Sequence, residues 1–280
     1  MKRAAPSQSG FTLIEIIVVI IVLGIVGAVG MMFVNYTVEG YAAQTQRAAL
    51  VDDTALVLSR MTRDIRAALP NSVRVRASGT RTAIEMINVV AGARYRGGPG
   101  PTHNGNEAIL KFNKADDQFN VLPAVSAPLP ANTRLVIYNI GISGADAYEN
   151  ANVITPAATT VSVAADGNES QVTLSPAFKF AYRSPSQRIY FVDGPISYVC
   201  DTGTNTLTRY SGYAVQDTQP VAVSDFGVSG ALAAQDVAGC NFDYKPGTAQ
   251  RGGIATLSLT LTRNGESVHL LEQVHVTNAP

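Results

Sequence analysis

The stretch GFTLIEIIVVIIVLGIVGAVGMMFV, residues 10–34, determines how the rest of the chain is organised. From Ile16 to Val34 it has 19 residues without a charge, and a helix of that length spans about 28 Å, close to the hydrocarbon core of a bilayer. One acid, Glu15, stands directly before this run. Since a carboxylate at the centre of a lone membrane helix costs about 2.5–3.5 kcal/mol on insertion scales, a specific role for Glu15 is expected.

Three interpretations fit an apolar segment at this position. A cleaved secretory signal, with its small-residue site at 28–30, would need an unusually long apolar core that contains an acid. A plain membrane anchor leaves Glu15 without a role. In the third interpretation a peptidase cuts between Gly10 and Phe11, and the new α-amino group of Phe11 pairs with Glu15 within one chain or between neighbouring chains. Pairing between chains would make the helix an assembly device.

Charge and cysteine content indicate which partners the chain can bind and on which side of the membrane its head lies. The 280 residues carry 21 basic and 21 acidic side chains, and a chain without net charge lacks the basic surface that nucleic-acid binding requires. Lys2 and Arg3 precede the apolar run without an acid, so the positive-inside rule predicts a cytoplasmic N-terminus and a periplasmic head. In an exported chain Cys200 and Cys240 are expected to form a disulfide; two unpaired buried thiols are the alternative.

The hexapeptide Gly10-Phe11-Thr12-Leu13-Ile14-Glu15 resembles the processing and methylation motif of type IV prepilins and of the pseudopilins of type II secretion. The resemblance implies cleavage after Gly10 by an inner-membrane prepilin peptidase, N-methylation of Phe11, and a contact between Glu15 and a neighbouring subunit. The implied partners are the peptidase/methyltransferase, the inner-membrane assembly platform, other minor pilins and the major pilin. Residues 16–34 lack the helix-kinking proline that major pilins often have, so that kink is not expected here.

The pattern beyond Val34 predicts an α+β protein. Leu50, Thr54, Val57, Met61, Ile65 and Ala68 recur at helical spacing, and Pro70 should end the helix. The expected organisation is a leader at 1–10, a membrane half of one helix at 11–34, its amphipathic half at 35–69, and a β-rich head at 70–280.

Short strands with turn signals follow, among them 108–112 and 178–182. The clearest hairpin joins 254–262 to 266–276 through the Asn264-Gly265 pair.

Arg60, Arg63 and Arg66 repeat every three residues on the predicted helix, with Asp64 among them. A solvated face with local ion pairs explains such a series. The alternative is a charged stripe that contacts an adjacent subunit.

A search for catalytic chemistry finds no constellation. His103 lies in a Gly/Pro loop, and His269 and His275 are about 20 Å apart along one predicted strand, too far to share a metal. Residues 201–205 resemble a fragment of a calcium loop without a downstream acidic ligand, and a hairpin turn explains them better. No enzymatic activity, cofactor or metal is therefore expected.

Several head segments resemble the minor pilins of mannose-sensitive haemagglutinin (MSHA) pilus biogenesis; they are residues 60–66, 69–73, 198–200, 207–213, 239–244 and 273–280. The resemblance implies a low-abundance subunit in the tip or priming complex, with adhesion as a further role, placed in the inner membrane before assembly and in the pilus afterwards. The J-type minor pseudopilin of type II secretion is the alternative. A major pilin fits less well, because about 210 residues are hard to pack around a thin filament.

Overall fold

The computed structural model describes residues 10–98, 108–247 and 251–276. The leader before Gly10 with Lys2 and Arg3, most of the Gly/Pro loop at 97–101, His103 and the last four residues lie outside these ranges. The chain divides into two compact units, Met1–Ala49 and Leu50–Pro280.

Helix α1 (Leu13–Arg66) is the first element, two residues shorter at its start than the predicted 11–69. It begins at Leu13 because Thr12 caps it: the Thr12 hydroxyl lies 3.4 Å from the Glu15 amide, and the Thr12 carbonyl accepts the first backbone bonds of the helix, from Ile16 and Glu15 at 3.3 and 3.1 Å. It ends three residues early because the chain after Arg66 joins the sheet. The Leu69 amide donates to the Ile87 carbonyl at 2.8 Å, and the Val89 amide to that of Ala67 at 3.0 Å.

From Leu50 onward α1 buries one stripe, which confirms the predicted helical spacing. Its buried residues are Leu50, Thr54, Val57, Leu58, Met61, Thr62 and Ile65. The hydroxyl of Thr54 donates to the Leu50 carbonyl at 2.6 Å, so this polar group enters the core with its hydrogen bond made.

Twelve strands and one short helix lie in the described part of the second unit. They are β1 (Arg74–Ser78), β2 (Arg81–Tyr95), β3 (Asp116–Leu122), β4 (Arg134–Val136), β5 (Thr160–Asp166), β6 (Glu169–Phe178), β7 (Arg188–Asp201), β8 (Thr206–Ser211), α2 (Val223–Phe226), β9 (Ala231–Ala234), β10 (Val237–Lys245), β11 (Gly253–Arg263) and β12 (Glu266–Val276). The α+β class predicted from the sequence is confirmed.

The strands form two antiparallel sheets. The larger has the order β5-β6-β3-β2-β7-β8-β9, with β1 paired to β2 and β4 paired to β7; the smaller is β10-β11-β12. The long strands β2 and β7 are the central pair of the larger sheet. They pair from Arg81 opposite Asp201 to Arg94 opposite Arg188. A bulge between Asn88 and Val89 interrupts this register.

The predicted C-terminal hairpin is confirmed. Alternate residues of β11 are buried, including Leu257, Leu259 and Leu261. The turn residues Asn264 and Gly265 have φ of 50° and 85°, the two positive values that a type I′ turn requires.

The main hydrophobic core lies where the α1 stripe, the large sheet and the small sheet meet. It joins Met61 and Ile65 of α1 to Tyr198 of β7 and Leu259 of β11. The bond between Cys200 of β7 and Cys240 of β10 links the two sheets covalently, with the Cα atoms 6.5 Å apart. A second core around Phe119, Phe180 and Phe191 fills the other end of the large sheet.

Two predicted strands are wrong. Residues 108–112 form no strand, although the Leu110 amide donates to the Arg96 carbonyl at 3.0 Å. The segment 178–182 leaves the sheet after Phe178; Phe180 is buried there, and the Ala181 amide donates to Asn152 in a loop. Both segments are apolar because they cover the second core, which a single-sequence pattern does not distinguish from pairing in a sheet.

Candidate functional site

The candidate site is the start of α1, where Gly10, Phe11 and Glu15 carry the predicted processing and assembly roles. All three residues are exposed, Phe11 to 78%. The Glu15 amide lies 3.1 Å from the Thr12 carbonyl and 3.4 Å from the Thr12 hydroxyl, so Thr12 is the N-cap and Glu15 the third helical residue. A Thr-x-x-Glu sequence in these positions is the capping-box pattern, which the sequence interpretation missed.

Glu15 therefore has two physical roles available at the same place. As an acid in the first turn it is favoured by the partial positive charge of the helix N-terminus, worth about 0.3–1 kcal/mol at an exposed site. As a free carboxylate ahead of an apolar surface it can also pair with a cation from another chain. The two roles make different demands: capping accepts a glutamine, whereas an ion pair needs the charge.

The helix after Glu15 exposes apolar side chains on every face. From Ile16 to Val34 its large hydrophobic residues are 44–71% exposed, with Ile17 the least and Phe33 the most. A helix that is apolar all round needs an apolar surround, either lipid or other helices. By length and composition alone, α1 is the one helix of the described chain that could cross a membrane.

The polar residues after Val34 are of the kind found where an apolar environment meets water. The Thr37 and Thr45 hydroxyls donate to the carbonyls of Phe33 and Tyr41, at 2.9 and 3.0 Å, so neither requires water. Tyr36 and Tyr41 are 67% and 73% exposed at the end of the apolar run. Exposed tyrosines at this point are typical of the interface between membrane and water.

The arginine stripe lies on the exposed side of α1. Arg60, Arg63 and Arg66 are all exposed, and no ion pair within the described residues involves any of them. Asp64, the acid between them, pairs instead with Arg209 of β8 at 2.8 Å and accepts the Tyr198 hydroxyl at 2.8 Å. The local ion pairs of the solvated-face interpretation are thus replaced by one contact that attaches α1 to the large sheet. Arg63 and Arg66 in the last turn also suit the helix dipole.

A buried polar network that the sequence did not reveal supports the head. Glu85 of β2 is fully buried; its carboxylate accepts from Arg74 Nε at 2.6 Å and from the Tyr213 hydroxyl at 2.7 Å. Burial raises the pKa of Glu85, and the nearby Arg74 charge opposes that rise. The Arg74 guanidinium lies 3.5 Å from the centre of the Tyr148 ring. Arg74 and Glu85 face each other in register on β1 and β2, a pairing that only the sheet topology defines.

The other residues weighed for chemistry have structural partners. His269 and the Thr260 hydroxyl share a hydrogen bond at 2.9 Å, and no group of three or more metal-ligating side chains occurs within the described ranges. Asp201 accepts from the Thr80 hydroxyl and the Gly203 amide, both at 2.9 Å. It sits at the β7–β8 turn, which confirms the predicted hairpin turn at 201–205.

Comparison with protein families matches residues 6–31 to the prokaryotic N-terminal methylation motif. No curated protein and no solved structure matches the chain. The match supports a type IV pilin-like or pseudopilin subunit, which implies processing by a prepilin peptidase and assembly into pilus-type complexes. The motif and the apolar helix together fit membrane anchoring.

Proposed function

We propose that the chain is a minor type IV pilin of an MSHA-type pilus, similar to MshO, that acts in the tip or priming complex. The observation that carries the proposal is the N-terminal segment: a methylation motif directly before a helix that is apolar and exposed on every face. The head resemblance described above supports the MSHA type. The protein is proposed to act by assembly, without catalysis or a cofactor.

The proposed mechanism starts with the helix in the inner membrane and the head, residues 70–280, in the periplasm. Cleavage after Gly10 exposes the α-amino group of Phe11, which is then methylated. Glu15 of one subunit pairs with the Phe11 amine of another, so both charges are neutralised in the apolar surround formed by packed helices. Arg60, Arg63 and Arg66 are proposed to face an adjacent subunit, since they are exposed and no described carboxylate forms an ion pair with them.

The J-type minor pseudopilin of type II secretion is the second candidate. The methylation motif and the apolar helix are common to both, so the observations at the N-terminus favour neither. The two differ in where the mature protein is found: a pilus subunit is recovered in filaments sheared from the cell surface.

The first experiment measures intact mass and N-terminal sequence of the protein from native membranes and from sheared filaments. A mature chain that begins at N-methyl-Phe11 and is present at low stoichiometry in filaments supports the proposal. A mature chain found only in membranes of secreting cells supports the pseudopilin. A chain that begins near Met31 and is free in the periplasm would contradict both and support a secretory signal.

The pairing role of Glu15 is separated from its capping role by three variants. Glu15→Gln keeps a residue that suits the third helical position but removes the charge, whereas Glu15→Ala removes both. Glu39→Ala is the matched control, an exposed acid on the same helix. We expect all three to be cleaved, with Glu15→Gln and Glu15→Ala equally depleted from filaments and Glu39→Ala at wild-type level. Normal incorporation of Glu15→Gln would show that Glu15 only caps the helix.

A further inference from the structure

A pocket of about 400 Å³ opens beside the short strand β4, within the size range of small-molecule sites. Its lining includes Arg134, Asn150, Asp193 and Tyr213. Gly194 and Gly212, with φ of 125° and 79°, form part of its wall. All of these residues belong to the second compact unit.

Arg134 is buried in this wall without a negatively charged partner. Arg134 is only 8% exposed. Nε donates to the Thr155 carbonyl at 2.5 Å and Nη2 donates to Asn150 Oδ1 at 2.8 Å, so both acceptors are neutral. No carboxylate of the described chain lies within 4.0 Å of the guanidinium, and burial lowers the pKa of Arg134 to about 10.

Three other arginines of the head with little exposed side chain do have carboxylate partners. Arg74 pairs with Glu85, Arg209 with Asp64, and Arg96 with Glu169. A buried cation without an anion is unfavourable, because neutral carbonyls replace only part of the lost hydration. Arg134 thus differs from these three arginines, and its side chain lines a pocket.

Two donors remain available on this wall. Nη1 of Arg134 has no acceptor within the described residues, and it is not among the fully enclosed polar atoms that lack a partner, so solvent reaches it. The Asn150 side chain uses its oxygen for Arg134, which leaves its amide N–H groups beside the guanidinium. A charged and a neutral donor next to each other suit the two oxygens of a carboxylate.

The remaining lining restricts the ligand further. Asp193 accepts one hydrogen bond, from Asn88 Nδ2 to its Oδ1 at 2.8 Å, and no described residue donates to its Oδ2. A carboxylate in the lining repels a dianion such as phosphate but accepts hydrogen bonds from hydroxyl groups. The pocket therefore favours one negative charge together with hydroxyls.

We propose that this pocket binds a small hydroxylated monocarboxylate, such as a sugar acid, with its carboxylate on Arg134 and Asn150 and a hydroxyl on Asp193. This site lies in the head and is independent of the assembly role proposed for the N-terminal segment.

The test is isothermal titration calorimetry of the full chain in detergent micelles. D-galacturonate is the probe, neutral D-galactose its uncharged counterpart, and inorganic phosphate the dianion. Arg134→Met removes the charge, and Ala157→Trp fills the pocket from an exposed lining position while leaving the hydrogen bonds of Arg134 in place. Arg94→Met is the matched control, an exposed arginine outside this pocket.

We expect saturable 1:1 binding of galacturonate, with galactose and phosphate about tenfold weaker or undetected. Both Arg134→Met and Ala157→Trp should weaken galacturonate binding by about tenfold or more, and Arg94→Met should not change it. If Arg134→Met does not fold, as judged by near-ultraviolet circular dichroism, Ala157→Trp decides the question. Absence of galacturonate binding, tighter binding of phosphate, or unchanged binding in Ala157→Trp would overturn the proposal.

Discussion

Replacing Arg74 by methionine should leave the buried carboxylate of Glu85 without its positively charged partner and so destabilise the head. Glu85 is fully buried, and among the described residues only the Tyr213 hydroxyl still donates to it after the change. The other acceptors of Arg74, the carbonyls of Gln216 and Asp217, lie in a half-buried to exposed loop where water can replace the arginine. The loss is therefore dominated by the uncompensated charge on Glu85, which costs about 3–5 kcal/mol when one partner of a buried pair is removed.

The cost has a ceiling that depends on pH, because Glu85 can take up a proton instead of remaining charged. From its ordinary pKa of 4.5, protonation costs about 4 kcal/mol at pH 7.5 but only about 1.4 kcal/mol at pH 5.5. A raised pKa in the folded state means that the folded chain holds the proton more tightly than the unfolded chain. Stability from this group is thus present at low pH and lost as pH rises through the folded-state pKa. Removing Arg74 raises that pKa further, so the loss becomes larger and extends to higher pH.

The assay is equilibrium denaturation of the full chain in detergent at pH 7.5 and pH 5.5, with the disulfide intact. Since the chain has 11 tyrosines and no tryptophan, near-ultraviolet circular dichroism of tyrosine reports the packing. Arg263→Met is the matched control, because Arg263 pairs with Asp236 at 2.7 Å at the surface and its loss should have little effect. The double variant Arg74→Met/Glu85→Gln should recover most of the lost stability. The explanation would be refuted if Arg74→Met lost the same free energy at both pH values, or no more than Arg263→Met.

Three further changes test the core, the turn and the covalent link between the sheets. Met61→Ala should cost about 2–5 kcal/mol of unfolding free energy, because Met61 of α1 is fully buried in the core that α1 forms with both sheets; denaturant titration measures it. Gly265→Ala should cost about 1 kcal/mol, since Gly265 has φ of 85°, whereas Gly239→Ala in β10, where an added Cβ meets only Thr260 at 4.0 Å, should cost less; thermal unfolding compares them. The double variant Cys200→Ala/Cys240→Ala should lose about 3–4 kcal/mol for a separation of 40 residues, and an unchanged melting temperature would contradict this.

The parts of the fold that the sequence predicted are those that local spacing encodes. The α1 stripe and the β11–β12 hairpin each repeat at the period of one element, so their buried faces are visible in one chain segment. Strand β3 (Asp116–Leu122) begins with two acids, and β10 (Val237–Lys245) contains Gly, Asn and Asp, so neither has a strand-like composition. Both are strands because longer neighbours pair with them, which is a tertiary effect.

The candidate site divides in the same way. The residues from Gly10 to Glu15 are contiguous, and their motif can be read without a structure. The contacts in the head join residues that are far apart in sequence, such as Asp64 and Arg209. Likewise, the fold determines that Arg134 contacts the Thr155 carbonyl and no carboxylate of the described chain. A single arginine gives no sign in the sequence of which carboxylate it meets or whether it meets one, so neither the Asp64 contact nor the Arg134 pocket could have been predicted.

The bond between Cys200 and Cys240 also determines how the head can respond to a pulling force. The covalent chain from the N-terminal helix to the C-terminal hairpin runs through β7 and then β10, which this bond joins directly. While the bond is closed, the segment between the two cysteines, which are 40 positions apart, cannot extend, and this withholds about 130–140 Å of contour length. Under load, the large and the small sheet therefore stay joined at Cys200 and Cys240. Other contacts of the head can break while β7 and β10 remain connected.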